Sequence, residues 1–177
     1  MIRTINKYLS LVKFSHTIFA MPFALIGFFM ATVLEQARFS WLLLGEVILC
    51  MVFARSAAMA FNRWLDAEFD ARNPRTARRE IPAGVISAKS ALLFVIINSG
   101  LFILTTWFIN LPCFLLSPVA LLVILGYSYT KRFTPLCHLV LGLGLSLAPI
   151  GAYLAVSGHF SVVPLLLSCI VLCWVSG

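Results

Sequence analysis

Charge is what this sequence has least of. Only 11% of its 177 residues are charged, and the six acidic ones end at Glu80, so residues 81–177 hold no carboxylate. No internal repeat and no low-complexity tract is present, which gives no sign of a solenoid or a disordered tail. Cys50, Cys113, Cys137, Cys169 and Cys173 lack any zinc-ligand or redox spacing and read as buried small hydrophobes. His16, His138 and His159 lie far apart and read as interfacial or packing residues. No small-residue cleavage site follows the first apolar run, so residues 17–34 read as a retained span rather than a removed signal peptide.

Hydrocarbon takes the place of charge. The chain is 62% hydrophobic with a mean hydropathy of +1.03, more apolar surface than a soluble domain of this size can bury. The sequence therefore predicts a single all-α domain over residues 1–177, a polytopic transmembrane bundle seated in a lipid bilayer. About five full spans and an incomplete sixth are expected. The spans are His16 to Leu34, Trp41 to Phe61, Ala88 to Phe108, Cys113 to Tyr129 and His138 to Val156, with Val163 to Gly177 too short to cross and read as a helix cut short. Pro22 and Gly27 mark a kink or close packing in the first span, and Gly142, Gly144 and Gly151 suit close helix contact in the fifth. Residues 1–15, with Arg3, Lys7 and Lys13 among apolar neighbours, read as an amphipathic segment lying on the membrane surface.

The net charge of +7 does not indicate a nucleic-acid partner, because the basic residues sit in short loops between spans. There they act as topology signals. Eleven of the thirteen Lys and Arg fall on the side shared by the N-terminus, residues 62–89 and residues 130–135, against Arg38 alone on the other side, with Arg55 inside a span. The positive-inside rule puts the first side in the cytoplasm, with the protein in the inner (cell) membrane.

Most of the acids gather in one stretch, SAAMAFNRWLDAEFDARNPRTARREIPAG, from Ser56 to Gly84. Asn62, Asp66 and Asp70 are spaced by four, which places them on one face of a helix. Two carboxylates one turn apart repel by roughly 3 kcal/mol at an effective dielectric of 20, so a cation is expected between them. A hard divalent ion such as Mg²⁺ meets that need, and so do neighbouring arginines in a plain salt-bridge network. Behind the acids, Arg72, Arg75, Arg78 and Arg79 form a basic loop broken by Pro74 and Pro82 and closed by Gly84. Acids, arginines and a lysine beside a lipid-facing cavity suit a magnesium-bound polyprenyl diphosphate, whose leaving group they would neutralise.

The run NRWLDAEFDARNPRTARREIPAG resembles the first signature of the UbiA family of intramembrane prenyltransferases, and YSYTKRFTP, Tyr127 to Pro135, is similar to that family's Tyr-x-x-x-Lys segment. The preceding ARSAAMAFNR and the REIPAG ending resemble the branch that prenylates 4-hydroxybenzoate or makes menaquinone precursors. The resemblance implies a helical bundle around a central cavity, in which an aromatic ring carbon attacks the prenyl diphosphate. Carried onto this sequence, it implies Asn62, Asp66 and Asp70 as the catalytic residues that hold Mg²⁺ and diphosphate. Arg75, Arg79 and Lys131 would contact diphosphate oxygens, with Tyr127 lining the site. For Arg55, on the Asn62 face but deeper, two readings stand: it faces a polar cavity and binds the carboxylate of an aromatic acid acceptor, or it pairs with Glu46 or helix carbonyls. Arg72 and Arg78 read as solvated loop residues.

The family also carries a second aspartate-rich segment, for which this chain has no acids. The 177-residue chain alone is therefore expected to be inactive or nearly so. Two further readings compete with a quinone-biosynthesis transferase: a small membrane transporter subunit, since charged cavity residues also mark ion paths, and a degenerate fragment without activity.

Overall fold

Apolar runs of about twenty residues, whose backbone polar groups find no water in a bilayer, satisfy those groups internally as helices. The computed structural model describes residues 2–12, 17–134 and 136–177. All its regular elements are α-helices: α1 (Ile2–Val12), α2 (Thr17–Leu34), α3 (Trp41–Leu65), α4 (Ala67–Arg72), α5 (Ala88–Ile109), α6 (Leu111–Thr130), α7 (Cys137–Ser157) and α8 (Val162–Ser176). Of these, α3, α5, α6 and α7 are long and apolar enough to cross a membrane. Their outward side chains, such as Leu122, Trp107 and Leu93, are exposed, as suits a surface whose solvent is lipid. His16, Lys13 and Pro135, which the sequence placed at a span start, in the amphipathic segment and at the end of the second motif, lie outside the described residues.

Helix ends follow the sequence closely. Ser40 caps α3 by accepting from the Leu43 N–H, and Ser87 caps α5 through the Ser90 N–H. Asn110 is the only residue between α5 and α6. Its side chain accepts from the Cys113 N–H at 2.9 Å and donates to the Leu154 and Ala155 carbonyls of α7 at 2.9 and 3.2 Å. One asparagine thus reverses the chain and ties the reversal to a third helix. At the end of α7, Gly158 takes a left-handed φ of +73° and its N–H bonds the Leu154 carbonyl, a conformation glycine adopts without steric cost.

Small residues set the packing where spans meet. A Cβ on Gly27 would collide with the backbone of Pro149, so α2 and α7 touch main chain to main chain. Gly142 gives α8 the same access, since a Cβ there would lie 2.9 Å from the Leu172 carbonyl oxygen. Gly151 has nothing within 4 Å of an added Cβ and makes no such contact. The amphipathic α1 docks through fully buried Leu11, in one core with Ala57, Ala60 and Ala91, and through Tyr8, whose ring stacks on Phe94 at 4.9 Å.

Three expectations need correction. The helix bearing Asn62, Asp66 and Asp70 is not straight: α3 ends at Leu65 and Asp66 takes φ −86° and ψ 0° before α4 begins. The cysteines are not uniformly buried, because Cys113 is interior while Cys169 and Cys173, one turn apart on α8, are exposed. His159 does more than pack: its Nε2 lies 3.3 Å from Glu35 Oε1, the carboxylate that also accepts from the hydroxyl of buried Tyr153. That trio joins the α2–α3 and α7–α8 connections at the end of the bundle away from Asp66.

Candidate active site

The bend at Asp66 keeps the hydrogen-bond register of a helix. The Asp66 N–H bonds the Asn62 carbonyl at 3.0 Å and the Asp70 N–H bonds the Asp66 carbonyl at 2.8 Å, so the three side chains still succeed one another along one face. Their partners come from elsewhere. Lys131, at the end of α6, donates to Asp66 Oδ2. With the Asn62 amide oriented to satisfy both neighbours, its Nδ2 donates to Asp66 Oδ2 at 3.2 Å and its Oδ1 accepts from Lys131 Nζ at 3.0 Å. Ser128 Oγ lies 3.4 Å from the same amide. Asp70, buried, accepts from Arg79 Nη1 at 2.7 Å on both carboxylate oxygens.

No single cation sits between the two aspartates; each has its own. The loop that delivers Arg79 folds back on Asp70 because Thr76 Oγ1 donates to the Asp70 carbonyl at 3.1 Å and Asn73 Oδ1 accepts from the Arg75 N–H at 3.0 Å, an Asx turn after α4. Arg75 itself points outward. Its side chain is exposed and takes no hydrogen bond or ion pair among the described residues. Arg72 and Arg78 are exposed too, as solvated loop residues should be.

Deeper in the bundle, Arg55, Asn62 and Tyr127 line one cavity of about 590 Å³. It runs between α3, α5, α6 and α7, with Ala24 of α2 in its wall, from Asn62 and Tyr127 to Ile109 and Phe160, and the lining between is mostly aliphatic. The polar cavity expected around Arg55 is therefore an apolar one with a guanidinium in its wall. No ion pair joins Arg55 to Glu46 among the described residues, and its buried Nε has no hydrogen-bond partner. The pairing alternative for Arg55 is not what the structure holds. Asp66 and Asp70 follow Asn62 just beyond the cavity's end.

Sequence reasoning missed two groups that build the site. Arg132 donates from Nη2 to the Leu65 carbonyl, lies 4.0 Å from Asp66 Oδ1, and covers the Phe69 ring at 5.1 Å. Buried Arg63 stands 4.0 Å from Glu80, whose other oxygen accepts from Ser10 of α1 at 2.5 Å. The signal for Arg132 was its place beside Lys131, and for Glu80 its place beside Arg79. Neither position announces that it reaches across the fold.

The comparisons with known proteins agree with this geometry. A sequence profile of the UbiA prenyltransferase family matches residues 20–177. The chain belongs to that family. It is 37% identical over 122 residues to the 4-hydroxybenzoate octaprenyltransferase of Aliivibrio fischeri strain MJ11, which covers 67% of this chain and 42% of that protein. It is 35% identical over 130 residues to the protoheme IX farnesyltransferase of Acidiphilium cryptum strain JF-5, covering 72% and 41%. Among solved structures, a UbiA homologue from Aeropyrum pernix K1 superposes with a TM-score of 0.82 at 32% identity, over 92% of this chain and 60% of that one. A UbiA homologue from Archaeoglobus fulgidus bound to GPP and Mg²⁺ shares the fold, with a TM-score of 0.73 at 22% identity over 95% and 60%. The chain thus spans about two fifths of the length of these curated relatives and three fifths of the solved structures. It is a UbiA-family sequence with a UbiA fold, and its relatives carry more than one acceptor name.

The residues fit a magnesium ion. Asn62, Asp66 and Asp70 offer only hard oxygen donors, and Mg²⁺ is held by one or two carboxylates with the remaining positions left to phosphate and water. Among the described residues no cluster of three His, Cys, Asp or Glu could hold a metal by protein ligands alone, so a metal at Asp66 and Asp70 would need the substrate's oxygens as well.

Proposed function

We propose that this chain carries the diphosphate site of a transferase that moves a polyprenyl group from a polyprenyl diphosphate to an aromatic acid such as 4-hydroxybenzoate, in quinone biosynthesis. One observation carries this reading: two carboxylates and their cations stand at the end of an apolar cavity that has an unpaired guanidinium in its wall. An anionic head belongs at the Asp66 and Asp70 end, and a hydrocarbon tail belongs in the cavity. The ligands of the Archaeoglobus fulgidus homologue support a prenyl diphosphate with Mg²⁺ as the partner class.

Asn62, Asp66 and Asp70 would hold Mg²⁺. When bound, Mg²⁺ supplies Lewis-acid neutralisation of the departing diphosphate. Lys131 and Arg79 would move from the carboxylates to phosphate oxygens, with Arg75 free to swing in from the exposed loop and Tyr127 flanking the reacting carbon. The aliphatic cavity excludes water from the prenyl chain. Arg55 would take the acceptor's carboxylate as a charge-assisted pair. The distribution of Lys and Arg supports an inner-membrane protein with this end of the bundle facing the cytoplasm.

The decisive experiment is binding of geranyl diphosphate to the chain in detergent, with and without Mg²⁺, in wild type, Asp66→Asn and Asp70→Asn. Mg²⁺-dependent binding that both substitutions remove is expected. Binding that ignores Mg²⁺ or both aspartates would overturn the assignment. For the acceptor, 4-hydroxybenzoate should bind in preference to its methyl ester, and Arg55→Gln should erase the preference.

A further inference from the structure

Arg132 touches three consecutive features of the bend beside the candidate metal site. It donates to the carbonyl of Leu65, the last residue of α3. Its Nη2 lies 4.0 Å from Asp66 Oδ1, while Lys131 takes Oδ2 of the same carboxylate. Its guanidinium carbon lies 5.1 Å from the ring centroid of Phe69 on α4. One side chain from the α6–α7 turn thus meets the residue before the bend, the residue at it, and the helix after it.

The last carbonyls of a helix lack intrahelical donors and form the negative end of its dipole, so a cation there is held electrostatically. A planar fork can donate at its edge while its face covers an aromatic ring, which a lysine ammonium cannot do in the same way. Asp66 itself sits at φ −86° and ψ 0°, in the bridge region between helix and extended backbone.

We propose that Arg132 is a positioning residue for the transferase: it fixes the bend at Asp66 and so sets the aim of the Asp66 carboxylate, whose two oxygens it and Lys131 flank. The proposal rests on the reading of Asp66 as a Mg²⁺ ligand. It has a consequence of opposite sign to that of charge alone. A cation 4.0 Å from a carboxylate repels a metal ion, so if Arg132 acted only through its field, Arg132→Gln would tighten divalent binding. If it aims the carboxylate, the same change loosens it.

The test is Mn²⁺ binding to the chain in detergent with geranyl diphosphate present, read as the Mn²⁺ concentration that half-saturates geranyl diphosphate binding, with thermal unfolding recorded in parallel. Arg132→Gln is expected to weaken Mn²⁺ binding about tenfold, the scale on which outer partners of metal ligands act. Arg132→Lys is expected to fall between it and wild type. Phe69→Leu, which removes only the ring, is expected to weaken binding about threefold. Unchanged or tighter binding in Arg132→Gln overturns the proposal. Should that variant not fold, wild-type affinity in both Arg132→Lys and Phe69→Leu overturns it instead. Failure of the metal reading is a separate result: wild type that binds no Mn²⁺, or an Asp66→Asn variant that binds it equally well, removes Asp66 as a ligand.

Discussion

At the scale of single residues, the acids and bases of the site neutralise one another. Asp66 is held by Lys131 and Asp70 by Arg79, so on the proposed reading a metal-bound diphosphate would enter by exchanging partners, the carboxylates turning to the metal and the cations to the phosphate. A double-substitution cycle tests this. Without metal, inorganic diphosphate must displace Asp66 from Lys131, so Asp66→Asn should tighten its binding by about tenfold, within the coupling energies that neighbouring groups show. In a Lys131→Gln background that gain should vanish. A gain that persists there would mean a general field effect and no direct exchange. The spacing of four that brings Asn62, Asp66 and Asp70 to one face was legible in the sequence, because a backbone ladder that skips four residues survives the bend. Which base meets which acid was not. Arg79 and Arg75 looked alike in the sequence, and an Asx turn at Asn73 with the Thr76 hydroxyl sends one inward and leaves the other exposed.

At the scale of helices, the spans were legible to within a residue or two, except at the end of α3, since apolar run length decides them. Trp41 and Ala88 open α3 and α5 where the sequence put them. The end of α3 was not legible, because the contact made there comes from Arg132 in the α6–α7 turn, 67 residues away in sequence. Glycines separate in the same way. Gly27 and Gly142 meet backbone, whereas Gly151 meets nothing, and composition cannot tell these apart. Gly27→Ala should therefore lower stability by about 1–3 kcal/mol, the usual result of overpacking, while Gly151→Ala should leave the thermal midpoint within a degree or two of wild type. Equal effects would mean that α2 and α7 are not in main-chain contact. Asn110→Ala removes a cap and two bonds to α7 and should cost about 2 kcal/mol, read by thermal unfolding in detergent.

At the scale of the molecule, the bundle has one end built for charge and one cavity built for hydrocarbon, and the sequence after Glu80 brings no further carboxylate. On the proposed reading the chain should bind a prenyl diphosphate in a Mg²⁺-dependent way, and binding of equal strength in EDTA would refute that expectation. Orientation has its own check: with the native cysteines as background, Gln36→Cys should react with an impermeant maleimide added outside intact cells and Arg78→Cys should not. The all-helical bundle and its membrane setting were legible because hydropathy alone requires them. The cavity was not, because its walls come from five helices whose lateral order no local pattern encodes.

A guanidinium whose Nε has no partner in an aliphatic wall sits in a solvent that cannot hydrate it. If acceptors enter beside Arg55 as proposed, they would be sorted by what they fail to bring. An ester, an amide or a bare quinol ring would leave the charge stranded and an anion would relieve it, so selectivity would rest on the rejection of neutral look-alikes more than on attraction for the right one.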